Sequence, residues 1–294
     1  MVNSMSEKTF ESGKSGEYVV AHYSDEFKAE ISTALSTGEV DGVSIAPDYG
    51  FSGLTLDFLS ELPNLRILIV IRSPNIRAGT LPLLPHLEDI SIDKTRLTLD
   101  LRKLPALKKA SLDWHKNIFL NAEKSKIESL HIWKYKSVTS DLTEMPLFSC
   151  LTEFELVQSS IKSLRGIDRF SHLKKLELHY LTRLETLTKL SLDELTTFIA
   201  FSFKKITDYE NIATCPMIRE LKMNKCGTMK SVKFVKQLPH LNTFRFLHTA
   251  IADGDYSPLH SLEDVYFTNN RVLGVKVSDF RQTPRSIRDA NKQP

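Results

Sequence analysis

The sequence predicts an α/β solenoid of about eleven coils, in which each coil adds one strand to a parallel sheet. Three observations predict it: an apolar template that recurs along the chain, an apolar return segment behind it, and prolines just before several predicted strands. A single coil of this kind cannot bury both of its apolar edges. It is therefore stable only when similar coils stack on each side.

The template is apolar-x-x-apolar-x-apolar, and it is clearest at Leu151, Phe154 and Leu156. The alternation of its last two apolar positions is typical of a strand with one buried face. Its mean spacing of about 22 residues is typical of repeats that pair one strand with one return segment. The eleven starting residues are Val40, Leu65, Leu87, Leu107, Ile127, Leu151, Leu173, Leu195, Ile218, Leu241 and Leu262. This regular phase predicts a repeat domain over residues 40–280.

The return segment has a different period. After the strand at Leu151, apolar residues step by three through Ile161, Leu164, Ile167 and Phe170, which suits a tight helical or extended return. Proline cannot continue a helix and favours extended chain before it, so it marks the end of a return segment. Prolines with this placement are Pro63, Pro85, Pro105, Pro216 and Pro239.

These features resemble the leucine-rich repeat family, whose consensus is L-x-x-L-x-L-x-x-N-x-L. The stretch from Leu262 to Val272 follows that consensus, with Asn270 at the asparagine place. The return ladder is similar to the class of about 22 residues found in internalins. The resemblance covers residues 40–272. It implies a curved horseshoe or arc whose parallel sheet lines the concave side.

The chain departs from the family at the asparagine place of the other coils. That place reads Ser73, Thr95, His115, Tyr135, Ser159, Leu181, Phe203, Cys226 and Thr249. The sequence therefore does not predict a continuous asparagine ladder, and it predicts coils that are less regular than those of the family.

The two ends of the chain differ from the repeats. Residues 1–16 are polar and rich in serine, glycine and lysine, which predicts disorder. Residues 17–39 are predicted to form an N-terminal cap, with a helix from Ser24 to Thr37 that Gly38 ends. Such a cap would cover the open edge of the first strand. Residues 281–294 are predicted to be a loose basic tail.

Composition limits the environment and the partners. The formal net charge is +3, from 39 basic and 36 acidic residues, which does not by itself imply nucleic acid. No run of 18 apolar residues and no apolar signal region occur, which predicts neither a membrane span nor secretion. The three cysteines, Cys150, Cys215 and Cys226, form no end cluster. We therefore expect reduced thiols and a cytoplasmic monomer.

The outward residues of the predicted strands form columns along the sheet, and aromatic side chains concentrate in them. Aromatic residues are the usual anchors of protein interfaces, so these positions predict a partner-binding surface; the alternative is that they only cover the sheet. The predicted aromatic and histidine contacts are Trp114, His131, Trp133, Tyr135, His179, Tyr180 and Phe201.

Charged residues in the same columns form two zones. Glu153, Glu155 and Glu177 form an acidic zone. Glu155 and Glu177 are predicted to lie beside each other, which is a small cost that a cationic group of a partner could offset. Lys222, Lys225 and Arg245 form a basic zone further along the chain. The alternative is that these charges only face water.

The sequence predicts no metal, no cofactor and no catalytic residue. It contains nine histidines, but no pair has a fixed ligand spacing on one element. Glu177 and His179 share a strand face and resemble an acid–base pair. No nucleophile or glycine-rich loop accompanies them.

The predicted function is binding of another protein on the concave face, because repeat folds provide extended rigid surfaces. By analogy, one form of this function is an immunity protein that neutralises a cognate toxin. The alternative is a nucleic-acid or nucleotide-binding module that uses the basic zone, and a third reading is an enzyme centred on Glu177 and His179. Salt separates the first two readings, since nucleic-acid binding weakens steeply as salt rises.

Overall fold

The computed structural model describes residues 9–11, for which it gives the backbone alone, and residues 18–73, 75–268 and 273–280. The chain divides into two compact units. The first contains Met1–Ile132 and Phe148–Cys150, and the second contains Trp133–Leu147 and Leu151–Pro294. Each unit carries six strands that run parallel to one another, twelve in all. Asn270 and the predicted basic tail lie outside the described residues.

The described residues of the first unit form ten strands in two sheets. They are β1 (Thr9–Glu11), β2 (Val19–His22), β3 (Gly42–Ile45), β4 (Ile67–Val70), β5 (Gly79–Thr80), β6 (Asp89–Ile92), β7 (Leu97–Asp100), β8 (Lys109–Asp113), β9 (Phe119–Leu120) and β10 (Ser129–Trp133). In the larger sheet the strand order is β1-β2-β3-β4-β6-β8-β10, and β1 alone is antiparallel to its neighbour. The strands β5, β7 and β9 form a small second sheet among the return segments.

The predicted N-terminal helix is present. A 3-10 turn, Asp25–Phe27, leads into the helix α1 (Lys28–Thr37), which packs Ile31, Ala34 and Leu35 into the core. Gly38 ends it with φ of 74°, a left-handed conformation that costs glycine little. The helix connects β2 to β3, while the backbone of β1 pairs with β2 at the end of the sheet. Strand β1 lies within residues 1–16, the rest of which is outside the described residues.

The described residues of the second unit form six strands in sequential order. They are β11 (Glu153–Val157), β12 (Lys175–His179), β13 (Thr197–Phe201), β14 (Glu220–Met229), β15 (Thr243–Ile251) and β16 (Asp264–Phe267). Their Cα registers align the apolar template positions into buried rows. One row is Phe154, Leu176, Phe198, Leu221, Phe244 and Val265, and every member is at most 1% exposed.

The spacing predicted from the sequence matches the strands. Each of the eleven predicted template starts lies two residues before the first residue of a parallel strand. The number of strands is one higher than predicted, because β2 also joins the parallel ladder through β3. The aliphatic template does not predict this coil, because tyrosine occupies two of its three apolar places. Tyr18 stands at the first place, and Ala21 and Tyr23 are buried at the second and third.

Most return segments contain a short 3-10 helix. Among the described residues these are Asp25–Phe27, Pro47–Tyr49, Asp57–Glu61, Leu101–Lys103, Ala122–Lys124, Ile167–Arg169, Tyr209–Thr214, Lys233–Gln237, Ser257–Ser261 and Val277–Asp279. The ladder of Ile161, Leu164, Ile167 and Phe170 is buried, so the core of the second unit lies between sheet and returns. The one α-helix in the described part of the chain has ten residues, too few to cross a bilayer.

Candidate functional site

The outward columns predicted from the sequence are present in the second unit. Cα pairing joins Glu155 to Glu177, then Ile199, Lys222, Arg245 and Tyr266. The neighbouring column joins Val157, His179, Phe201, Asn224 and Leu247 in the same way. Because adjacent parallel strands lie about 4.8 Å apart, members of one column are close neighbours on one surface.

In most coils a residue with left-handed backbone conformation follows the last outward residue of the strand. In eight coils the residue two places after the last apolar position of the template has φ between 49° and 63°, and Trp114, at this place in the coil of Leu107, is an exception. They are Arg72, Lys94, Lys134, Gln158, Tyr180, Ser202, Lys225 and His248. This conformation is unfavourable for residues other than glycine, so its recurrence shows that the stacked coils impose the same turn. The turn projects the side chain of Tyr180 outward, where it is 47% exposed.

The residue after this turn points into the core, and this corrects the prediction for Tyr135. We expected Tyr135 to contact a partner, but its side chain is 0% exposed. It occupies the asparagine place directly after the left-handed Lys134, as Ser159, Leu181 and Phe203 do after their own turns. The asparagine place therefore belongs to the core and not to the binding surface.

Small polar side chains take part of the role of asparagine at this inward place. The hydroxyl of Ser159 donates to the Tyr135 carbonyl at 2.8 Å, and the Thr249 hydroxyl accepts from the Cys226 amide at 3.1 Å. The Cys226 thiol lies 3.5 Å from the Ala200 carbonyl. Burial raises the pKa of Cys226 to about 11, so this thiol stays protonated at neutral pH. These contacts satisfy buried backbone groups of neighbouring coils.

The other predicted aromatic contacts lie in different units. Trp114 and His131 are half-buried in the first unit, where His131 Nδ1 lies 3.4 Å from the Ser111 hydroxyl. Trp133 is half-buried in the second unit. His179, Tyr180 and Phe201 also belong to the second unit, together with both predicted charged zones.

The acidic zone is an ion-pair cluster. Nε2 of His179 lies 3.2 Å from Oε2 of Glu177 and 3.7 Å from Oε1 of Glu155. Lys175 Nζ lies 2.6 Å from Oε1 of Glu177. Burial lowers the pKa of Lys175, but the hydrogen bond to Glu177 and the charges of the nearby glutamates outweigh it and raise the pKa overall. The side chains of His179, Glu155 and Glu177 are 22%, 20% and 15% exposed, so these groups are largely shielded from water.

Two aromatic side chains, Tyr180 and Phe201, lie beside this cluster, and we call this pair the aromatic step. The rings of Tyr180 and Phe201 meet edge to face with centroids 5.0 Å apart, and the His179 ring lies 6.3 Å from Phe201. Lys225 Nζ lies 5.6 Å from the Phe201 centroid, within range of a cation–π contact. The step places aromatic rings beside charged groups, and aromatic side chains are enriched in protein interfaces.

The basic zone is largely neutralised within the chain. Lys222 Nζ lies 2.7 Å from Oε1 of Glu220, two residues earlier on β14. Arg245 Nε donates to the Asp264 carboxylate at 2.9 Å, and Asp264 is buried. Glu220 and Asp264 were not predicted as partners of these basic residues. Their signal is positional, because each is the first residue of a strand, two places before the column that contains Lys222 and Tyr266.

Comparisons with known proteins return neither a matching family model nor a matching curated protein. The internal repeat, the strand register and the side-chain geometry therefore carry the functional argument.

Proposed function

We propose that this chain is a leucine-rich-repeat solenoid that binds another protein on the outward, concave face of its parallel sheet. The observation that carries the proposal is the aromatic step of Tyr180, which directly follows β12 and is exposed, and Phe201, which lies on β13 and is half-buried. The apolar core lies on the opposite side of these strands, so the fold does not need the two rings for core packing. Exposed aromatic side chains on a rigid surface are typical anchors for a partner.

The neighbouring charges define the character of the partner. Glu155 and Glu177 are both on the outward face and lie next to the aromatic step. A partner with a lysine or arginine beside an apolar side chain would match this combination, because the cation would meet carboxylates while the apolar group covers the rings. Apolar column members further along β13, β15 and β16 extend the surface: Ile199, Leu247 and Tyr266.

Within this function, we favour an immunity role, in which the protein masks a basic surface of a cognate toxin. A rigid repeat surface suits such masking because little ordering of the protein accompanies binding. The acidic and aromatic character of the face supports this role. The same features also suit a scaffold that holds a partner without inhibiting it.

Nucleic-acid binding has weaker support. Two of the three basic residues proposed for it, Lys222 and Arg245, are engaged with Glu220 and Asp264, and the third, Lys225, lies over the Phe201 ring. Phosphate binding would require these contacts to be broken or shared. An interface of this kind would also lose affinity steeply as salt rises.

The experiment compares capture by the wild type with capture by matched variants. Immobilised wild type is incubated with lysate of the native host, and retained proteins are identified by mass spectrometry. The variants Tyr180→Ala and Phe201→Ala should each lose the partner, since removing an aromatic anchor costs about 2 kcal/mol, or roughly thirty-fold in affinity. A partner retained equally by both variants would contradict binding at this step.

Leu147→Ala is the matched control. Leu147 is an exposed apolar residue of the same unit, but it lies in a loop outside the sheet. Its loss should leave capture unchanged. Once a partner is identified, a titration at low and moderate salt separates an aromatic-anchored interface from binding through the basic zone.

A further inference from the structure

We propose that Glu155, Glu177 and His179 form a binding site for a divalent transition metal ion, and that the ion is Zn²⁺. The site goes beyond the proposed protein binding and does not require a partner. One carboxylate oxygen from each glutamate and one ring nitrogen of the histidine all lie within 4.8 Å of one another. The sequence gives little sign of this site, because the three residues come from two strands of successive coils.

The separations fit a single ion. Zinc binds histidine nitrogen and carboxylate oxygen at about 2.0–2.2 Å, so two ligands of a tetrahedral site lie roughly 3.4 Å apart. Nε2 of His179 lies 3.2 Å from Glu177 Oε2 and 3.7 Å from Glu155 Oε1, on either side of that value. An ion in the space that these three atoms enclose can reach all of them after side-chain rotation alone.

The charges favour a cation. Glu155 and Glu177 are direct register partners on adjacent strands, and like charges at such positions repel each other. Both side chains are at most 20% exposed, so water screens the repulsion less than at an open surface. Lys175 Nζ lies 2.6 Å from Oε1 of Glu177, whereas His179 Nε2 lies 3.2 Å from its Oε2. A divalent ion between the two carboxylates would offset the charge that remains.

The surroundings hold the ligands in place. The hydrogen bond from Lys175 fixes Oε1 of Glu177, which leaves Oε2 directed at His179. Supporting contacts of this kind orient the ligands of metal sites. The Phe201 ring packs beside the His179 imidazole and limits the directions in which it can rotate.

The donor set distinguishes zinc from harder ions. One imidazole and two carboxylates suit Zn²⁺, whereas Mg²⁺ and Ca²⁺ prefer oxygen ligands and higher coordination numbers. Three protein ligands leave a fourth tetrahedral position open on the solvent side. Water or a side chain of a partner can fill it.

The test uses the metal alone. Zn²⁺ is titrated into the metal-free full chain by calorimetry, and Co²⁺ is added separately because its visible absorption reports four-coordinate geometry. The wild type should bind one ion at this site. The variants Glu155→Gln, Glu177→Gln and His179→Ala should each weaken binding by at least about ten-fold, the smallest loss typical of disturbing the shell around a metal ligand. They should also remove the Co²⁺ absorption.

His172→Ala is the matched control. His172 Nδ1 lies 3.0 Å from Glu194 Oε1, so it forms a similar histidine–glutamate pair, and among the described residues this pair belongs to no group of three possible metal ligands. Its variant should bind as the wild type does. Thermal melts without metal test the fold of each variant, and Glu155→Gln, which keeps the side-chain size, decides the matter if His179→Ala unfolds.

Two results would overturn the proposal. One is the absence of Zn²⁺ binding to the wild type at millimolar metal, which would leave the cluster as an ion-pair network. The other is zinc binding that Glu155→Gln leaves unchanged, which would place the ion elsewhere. Neither result bears on capture of a protein partner by Tyr180 and Phe201, so the two proposals fail independently.

Discussion

Glu155 and Glu177 lie directly opposite each other on adjacent parallel strands, and His179 bridges them from the strand of Glu177. The pair shows how the stacking of coils creates the outward surface. Residues one repeat apart in sequence become nearest neighbours on one surface, so each outward column joins side chains of different coils. The chemistry of this face is therefore a property of the stacking, and disturbing the stack should disturb the face.

The first prediction concerns the core of the stack. Leu176→Asp should destabilise the protein by about 3 kcal/mol or more, because Leu176 is fully buried and an unpaired charge would enter the shared core. Lys174→Asp, two residues earlier at an exposed position, should change stability by about 0.5 kcal/mol or less. Thermal and urea unfolding measure both variants. Similar losses for the two would show that the assigned phase is wrong.

The second prediction separates two neighbouring aromatic residues. Tyr135→Ala should cost about 3 kcal/mol or more, because it empties a fully buried site at the inward asparagine place. Trp133→Ala should change the melting temperature much less, because Trp133 is outward and half-buried. If Trp133 also contacts the partner, its variant should lose affinity while staying folded. A larger stability loss for Trp133→Ala than for Tyr135→Ala would reverse the assignment.

The third prediction concerns the thiols. All three cysteines are free, and only Cys150 is exposed. Burial raises the pKa of Cys215 and raises that of Cys226 to about 11, so both buried thiols stay protonated at pH 8. Mass spectrometry after a short treatment with iodoacetamide should show one modified cysteine in the native protein and three after denaturation. A disulfide in the native protein, or rapid labelling of Cys226, would contradict the structure.

The fourth prediction concerns Asp141 in the loop after β10. Burial raises the pKa of its carboxyl, but hydrogen bonds from Thr139, Thr143 and Arg165 outweigh burial and lower the pKa from 3.8 to about 2. A carboxyl with a lowered native pKa stabilises the fold above its unfolded pKa and loses that effect as the pH falls toward its native pKa. The contribution at neutral pH is about 2 kcal/mol.

Urea unfolding of Asp141→Asn tests this contribution. The variant should be less stable than the wild type at pH 7, and the difference should shrink between about pH 4 and pH 2. Asp168→Asn is the control, because Asp168 is exposed in the 3-10 segment Ile167–Arg169. Its variant should match the wild type at pH 7. A deficit of Asp141→Asn that stays constant down to pH 2 would point to lost packing and not to lost charge.

The sequence by itself determined the repeat period of this protein and which strand residues form its core. Apolar residues that recur at one phase can be buried only if each repeat adopts the same strand and return, so the starts at Val40 to Leu262 locate eleven strands correctly. Alternation within each strand also assigned the outward columns, which the register of Glu155, Glu177 and Ile199 confirms. Helix α1 could be predicted from local signals, because its C-terminal end is set by Gly38.

The tertiary structure decided everything that depends on contact between coils. Only the left-handed turn at Lys134 shows that Tyr135 points inward, because the amino-acid sequence alone does not show at which residue the strand ends and the chain turns. Only the stacked strands bring His179 within reach of Glu155 and pair Arg245 with Asp264. Spacing along the chain fixes which face a side chain occupies. Distances between ligand atoms are set by register, strand separation and rotamer, and these exist only when the coils are packed.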